Sequence, residues 1–166
     1  TLGEAPEALP TIRKKQAEMG VTAFLPTTMT WPWNEIAGAL TRVRAAMDVH
    51  GVGAEILGAH MEGPFISPAE KGSQEETNIL PADFAKFAPF SDVVRLVTLA
   101  PEELPLKNTA AAHGLETAPG DHDWSFVEQC EAAGVVVSIG HTAATYEMAA
   151  AAVRSHGVHH FTHLFN

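Results

Sequence analysis

Four times in this chain a helix-like stretch runs into a glycine followed at once by valine: Gly20-Val21, Gly51-Val52, Gly134-Val135 and Gly157-Val158. Glycine takes the left-handed conformation that ends a helix, and a β-branched residue suits the start of a strand. A chain that repeats this connection is committed to alternating helices and strands, and so to a parallel sheet with right-handed crossovers. The strand candidates are residues 21–28, 54–62, 93–100, 135–141 and 158–163. Each is mostly apolar rather than strictly alternating, as expected of strands covered on both faces. Helices are expected over 9–19, 34–50, 123–133 and 145–156, with Ile36, Leu40, Val43 and Met47 forming one apolar stripe. Asn34 and Thr145 are the expected helix caps. The class is α/β. A (β/α)8 barrel and a doubly wound sheet both fit the alternation, and five strands are too few to close a barrel of eight. Residues 105–121 (PLKNTAAAHGLETAPGD) are small, polar and rich in Gly and Pro, and read as a loop or insertion.

In parallel α/β folds the reacting groups gather at the carboxyl ends of the strands. Here those ends read PTT (26–28), HMEGP (60–64), APE (100–102), SIGHT (138–142) and THLFN (162–166). Glu62, His141 and His163 each stand where a strand gives way to a turn. Taken singly, Glu62 before Gly63-Pro64 reads as a turn carboxylate, and His141 and His163 as hydrogen-bonded or exposed polar residues, the latter close to His159 and His160. Taken together they can meet at one point. Two imidazole nitrogens and one carboxylate oxygen, with a position left open, suit a catalytic Zn2+ or Fe2+.

Other polar groups have plainer readings. His60 lies two residues before Glu62, on the same side of its strand, and reads as a packed polar residue. Glu102 reads as a loop carboxylate. His50, His113, His122 and His156 are expected to be solvated, and Trp31 and Trp33 to serve packing. Cys130 is the one cysteine, so no internal disulfide is possible. That fits a reducing compartment such as the cytosol. The net charge of −10 repels nucleic acid and anionic lipid. No apolar run is long enough to cross a membrane. The chain starts at Thr1 and ends three residues past His163, and is expected to be a piece of a longer protein.

The motifs GAHMEGPFISPAEKGSQ (58–74), VTLAPE (97–102), SIGHTAATYE (138–147) and FTHLFN (161–166) resemble those of N-acetylglucosamine-6-phosphate deacetylases of the amidohydrolase superfamily. GVTAFLPT (20–27) is also similar to theirs. The resemblance implies a (β/α)8 TIM-type barrel, of which residues 1–166 cover about strands two to six. It implies that Glu62, His141 and His163 hold a divalent metal, Zn or Fe. It sets Ser73, Gln74 and Asn166 against a sugar-phosphate substrate, at a position where family members commonly carry His instead of Gln74. The implied reaction is hydrolysis of the acetamide to glucosamine 6-phosphate and acetate. Its proton-transfer Asp lies in the family's later strands, so no catalytic residue is expected within the chain. A cytoplasmic homodimer is the family expectation. The alternatives are another amidohydrolase, acting on a cyclic amide or a nucleobase, or a segment that binds metal without turnover.

Overall fold

The computed structural model describes residues 8–51, 53–107 and 118–165. Five parallel strands form one sheet: β2 (Thr27–Thr28), β4 (Ala59–Glu62), β5 (Val94–Leu99), β6 (Val136–Ile139) and β7 (His160–Phe161). Their order across the sheet is their order along the chain. A doubly wound sheet reverses its order at a switch point, whereas a barrel does not. The sheet is therefore an arc of a (β/α)8 barrel.

Two expected strands are each broken in two. β1 (Ala23–Phe24) pairs with β3 (Glu55–Ile56) as a separate two-stranded piece at the start of β2 and β4. The breaks fall at Leu25-Pro26 and Leu57-Gly58. Pro26 has no N–H to give to a ladder. Gly58 has φ 149°, and a Cβ there would lie 2.6 Å from the Val93 carbonyl oxygen. The backbones of neighbouring strands approach too closely for any other residue.

The helices are α1 (Ala8–Glu18), α2 (Trp33–Met47), α3 (Phe84–Phe87), α4 (Ser125–Ala132) and α5 (Tyr146–Ser155). The glycines at the helix-to-strand junctions, Gly20, Gly51, Gly134 and Gly157, all have positive φ. Thr145 caps α5 as expected, accepting a hydrogen bond from the Met148 N–H at 3.3 Å. Asn34 does not cap α2: the helix starts at Trp33, with Pro32 in the capping position, and the Asn34 amide turns to Glu35. Pro32 has the extended backbone of a capping residue, φ −50° and ψ 137°, and lies outside the helix proper. The short α3, capped by Asp83, has no apolar period long enough to be legible.

Cross-strand register divides the sheet by chemistry. Met61, Val97 and Val137 face one another across β4, β5 and β6, within a core that includes Leu40, Val43, Phe126 and Cys130. The next row, on the opposite face, is Glu62, Thr98, Ser138 and His160. One face thus packs on helices, and the other carries polar groups. The ends of the 105–121 segment are tied together by a Leu106–His122 bridge and by Lys107 N–H donating to the Asp121 carbonyl at 2.8 Å. His113 lies outside the described residues. His122 is not solvated: it is 2% exposed, with Nδ1 3.0 Å from the Leu104 carbonyl at the base of this segment. His156 stacks on Trp124 with ring centroids 4.1 Å apart. No helix is long and apolar enough to cross a membrane among the described residues.

Candidate metal centre

Glu62 is the last residue of β4, and its side chain projects from the polar face. His141 and His163 stand two residues past the ends of β6 and β7. Both adopt the left-handed conformation, with φ 50° and 56°, and they are the only described non-glycine residues with positive φ. That turn bends the chain off the sheet and brings each imidazole over the end of β4. His141 Nε2 lies 3.0 Å from Glu62 Oε1, and His163 Nε2 lies 3.2 Å from the same oxygen. The two rings meet edge to face, 5.2 Å apart. One ligand atom from each of the three residues falls within 4.8 Å of the others, the only such group of three among the described residues.

The backbone explains why His141 sits where it does. The segment after β4 crosses the ends of the neighbouring strands: Ala100 N–H donates to the Phe65 carbonyl, and Ser67 N–H donates to the His141 carbonyl, both at 2.9 Å. His141 Nδ1 then lies 3.0 Å from the Glu70 carbonyl. A carbonyl only accepts, so Nδ1 carries the hydrogen. In the neutral ring, Nε2 therefore offers a lone pair. That lone pair points at a carboxylate oxygen, which also only accepts. Two acceptors 3 Å apart repel unless a positive charge lies between them, a proton or a cation. The donor set therefore fits a divalent metal, with imidazole and carboxylate ligands and the His141 tautomer fixed from behind.

Burial pushes the Glu62 carboxyl upward, but His141 and His163, when protonated, donate to it and set positive charge beside it, which more than offsets burial and holds the group below its ordinary value. Glu102 caps the turn after His141, accepting from the Thr142 hydroxyl and the Ala143 N–H. From sequence alone Glu102 reads as a loop carboxylate, because nothing local shows that its loop and the SIGHT turn come together.

Two clefts flank the cluster. One, of about 350 Å3, is lined by Glu70, Gly72, His141, Thr142, His163 and Leu164. The other, of about 250 Å3, is lined by Thr28, Met29, Trp31, Ile36 and Glu62. Trp31 thus borders the site, whereas Trp33 packs against Phe90. His60 does not reach the cluster. Burial lowers its pKa, and its ring bonds Thr98 at 2.8 Å. Ser73 is exposed in the turn after Lys71-Gly72. Gln74 is 3% exposed, and its amide is turned to Glu62 rather than to either cleft. Asn166 lies outside the described residues.

No family model matches the chain. Individual proteins do. It is 33% identical to an N-acetylglucosamine-6-phosphate deacetylase of Bacillus subtilis over 90% of its own length and 35% of the relative's. The chain matches a stretch of the N-acetylglucosamine-6-phosphate deacetylases, in sequence and in fold. It is also 29% identical to an N-acetylgalactosamine-6-phosphate deacetylase of Escherichia coli O157:H7, over 99% of this chain and 40% of that one. The crystal structure of the N-acetylglucosamine-6-phosphate deacetylase from Pasteurella multocida superposes with a TM-score of 0.71 at 28% identity, covering 98% of this chain and 38% of that one. The chain therefore spans well under half the length of the deacetylases it matches. Neither relative is named for a cyclic amide or a nucleobase.

Proposed function

We propose that Glu62, His141 and His163 bind one divalent cation, Zn2+ or Fe2+, and that this site serves the hydrolysis of the acetamide of N-acetylglucosamine 6-phosphate to glucosamine 6-phosphate and acetate. The observation behind the reading is the meeting of two imidazole nitrogens with one carboxylate oxygen, from three strand ends, with the His141 hydrogen fixed on the far nitrogen by Glu70. A bound cation supplies Lewis acidity and lowers the pKa of water toward neutrality.

The chain's own residues supply the rest of what can be derived. Glu62 places one negative charge at the site, and the two imidazoles place none, so a divalent ion keeps a net positive charge with which to polarise an amide carbonyl. Glu70 and Glu102 hold His141 and its turn in place, so the ligand geometry is formed in advance. The cleft lined by Glu70, Gly72 and the His141 turn gives room for a sugar, and Ser73, Gln74 and Asn166 are the substrate-side residues of this reading. Proton transfer to the leaving amine needs a further acid. The cluster contains no Asp, and the Asp implied by the resemblance takes that role. The same reading places the full-length protein in the cytoplasm as a homodimer. It has no nucleic-acid or membrane partner, in keeping with the net charge of −10. The segment 105–121 is an insertion on the barrel.

Elemental analysis of the purified protein, with Glu62→Gln and His141→Asn alongside, tests the site. One Zn or Fe per chain, lost in both variants, supports it; a folded wild type without metal sinks it. Acetate release from N-acetylglucosamine 6-phosphate and from its N-acetylgalactosamine counterpart, by a protein extended to the length of its relatives, tests the reaction.

A further inference from the structure

The KGSQ turn brings a fourth side chain to the cluster. Gln74 N–H closes the turn on the Lys71 carbonyl at 3.1 Å, and the side chain runs inward until it is 3% exposed. There it meets two partners on different elements. The backbone N–H of Thr30, in the loop after β2, donates to Gln74 Oε1 at 2.6 Å. Gln74 Nε2 donates to Glu62 Oε1 at 3.3 Å. The orientation of the amide follows from chemistry: a backbone N–H only donates, so the amide oxygen must face Thr30, and the NH2 then faces the carboxylate.

We propose that Gln74 is a positioning residue for Glu62. It fixes the carboxylate at the end of β4 so that Oε1 stays within reach of both imidazoles. The proposal rests on the cation site of the preceding section. A carboxylate on a flexible two-carbon stem has several rotamers, and the one observed puts Oε1 beside both His141 and His163. Gln74 is itself held at its far end by Thr30, so it cannot follow Glu62 into another rotamer. The bond therefore selects the ligating rotamer before any ion arrives.

The test is Gln74→Met, which keeps the side chain's length and removes both hydrogen bonds. Zn2+ affinity of the purified protein is measured by competition with a chelator, beside the metal-free melting temperature. Groups that orient metal ligands typically change affinity by about 10- to 100-fold when removed. The expected result is a folded variant whose Kd for Zn2+ rises about tenfold or more. A folded variant with an unchanged Kd, whatever its melting temperature, overturns the proposal and leaves Gln74 a structural bridge. Should Gln74→Met fail to fold, the side-chain amide of Gln74 in the wild type is followed by 15N NMR as Zn2+ is added. Movement of that pair of signals, and its loss of response in Glu62→Gln, is expected; a pair indifferent to Zn2+ overturns the assignment. A wild type that binds no Zn2+ at all fails the cation site itself, a different result from a Gln74 variant that binds it as well as wild type does.

Discussion

Replacing Thr98 by valine removes one hydroxyl from the middle of a polar chain that crosses the sheet just below the metal centre. Thr98 Oγ1 lies 2.8 Å from His60 Nε2 and 2.9 Å from Thr162 Oγ1. Ser138 Oγ continues the chain, 2.7 Å from Thr162 Oγ1 and 3.0 Å from His160 Nδ1. Thr98 and Ser138 are fully buried. Valine matches threonine in shape, so no cavity opens and the cost is electrostatic. Two net hydrogen bonds at about 0.5–1.5 kcal/mol each give a loss of about 1–3 kcal/mol. A more apolar buried group returns up to about 0.8 kcal/mol, leaving a loss of roughly 1–2 kcal/mol. For a chain of this size that corresponds to about 2–8 °C in melting temperature. Urea unfolding of the metal-free protein, with Thr98→Ser as the partner variant, reads it. Serine keeps the hydroxyl and loses only a methyl group. A valine variant as stable as wild type, or more stable than serine, would show that the chain of hydroxyls contributes nothing beyond its packing.

Acidification should weaken the fold in two stages. Burial holds His60 and His156 below the ordinary 6.5, so the unfolded state takes up protons that the folded state refuses, and stability falls as pH drops through about 6.5. Burial raises Glu62 but its histidine partners lower it further, below 4.5, so its contribution is present above that value and is lost as pH falls through the folded pKa. Urea midpoints that rise between pH 7.5 and 5.5 would contradict the histidine part. Cys130 is fully buried, and burial pushes its thiol up to about 12. A thiol reagent should label it only after denaturant is added, and rapid labelling of the native protein would show that α4 opens readily.

The alternation of helix, glycine and valine was enough to read the α/β class and four of the five helices, because apolar period and glycine stops are local signals. It was not enough to separate a barrel from a doubly wound sheet, since strand order is a property of pairing; only the parallel neighbours β2-β4-β5-β6-β7 decide it. The breaks at Pro26 and Gly58 were visible as residues but not as breaks, since Gly58 is constrained by Val93 and Arg95 on the next strand. At the site, Glu62, His141 and His163 could be proposed because each marks a strand end. Glu70 and Thr30 could not, because each contributes a backbone group, and any residue type supplies one. His122 was misread for a similar reason: its burial depends on the two ends of residues 105–121 closing on each other.

The left-handed turns at His141 and His163 connect the site to the stability of the fold. A residue with a Cβ in this conformation costs about 1–2 kcal/mol relative to glycine, and such strain persists where surrounding structure holds it, often at functional sites. His163 gives the cleaner measurement, because its side chain is 47% exposed and its bond to Glu62 is shared with solvent. His163→Ala removes the imidazole and keeps the strain. His163→Gly removes both, but loses about 0.4–1 kcal/mol to the greater freedom of the unfolded chain. The difference leaves the glycine variant more stable than the alanine variant by roughly 0.5–1 kcal/mol in the metal-free protein, the reverse of the usual order for these two residues. Urea unfolding of the two variants reads the difference. An alanine variant equal to or more stable than glycine would mean that the turn relaxes once the imidazole is gone. The backbone would then be held by the side chain's attraction to Glu62, rather than the side chain being aimed by the backbone.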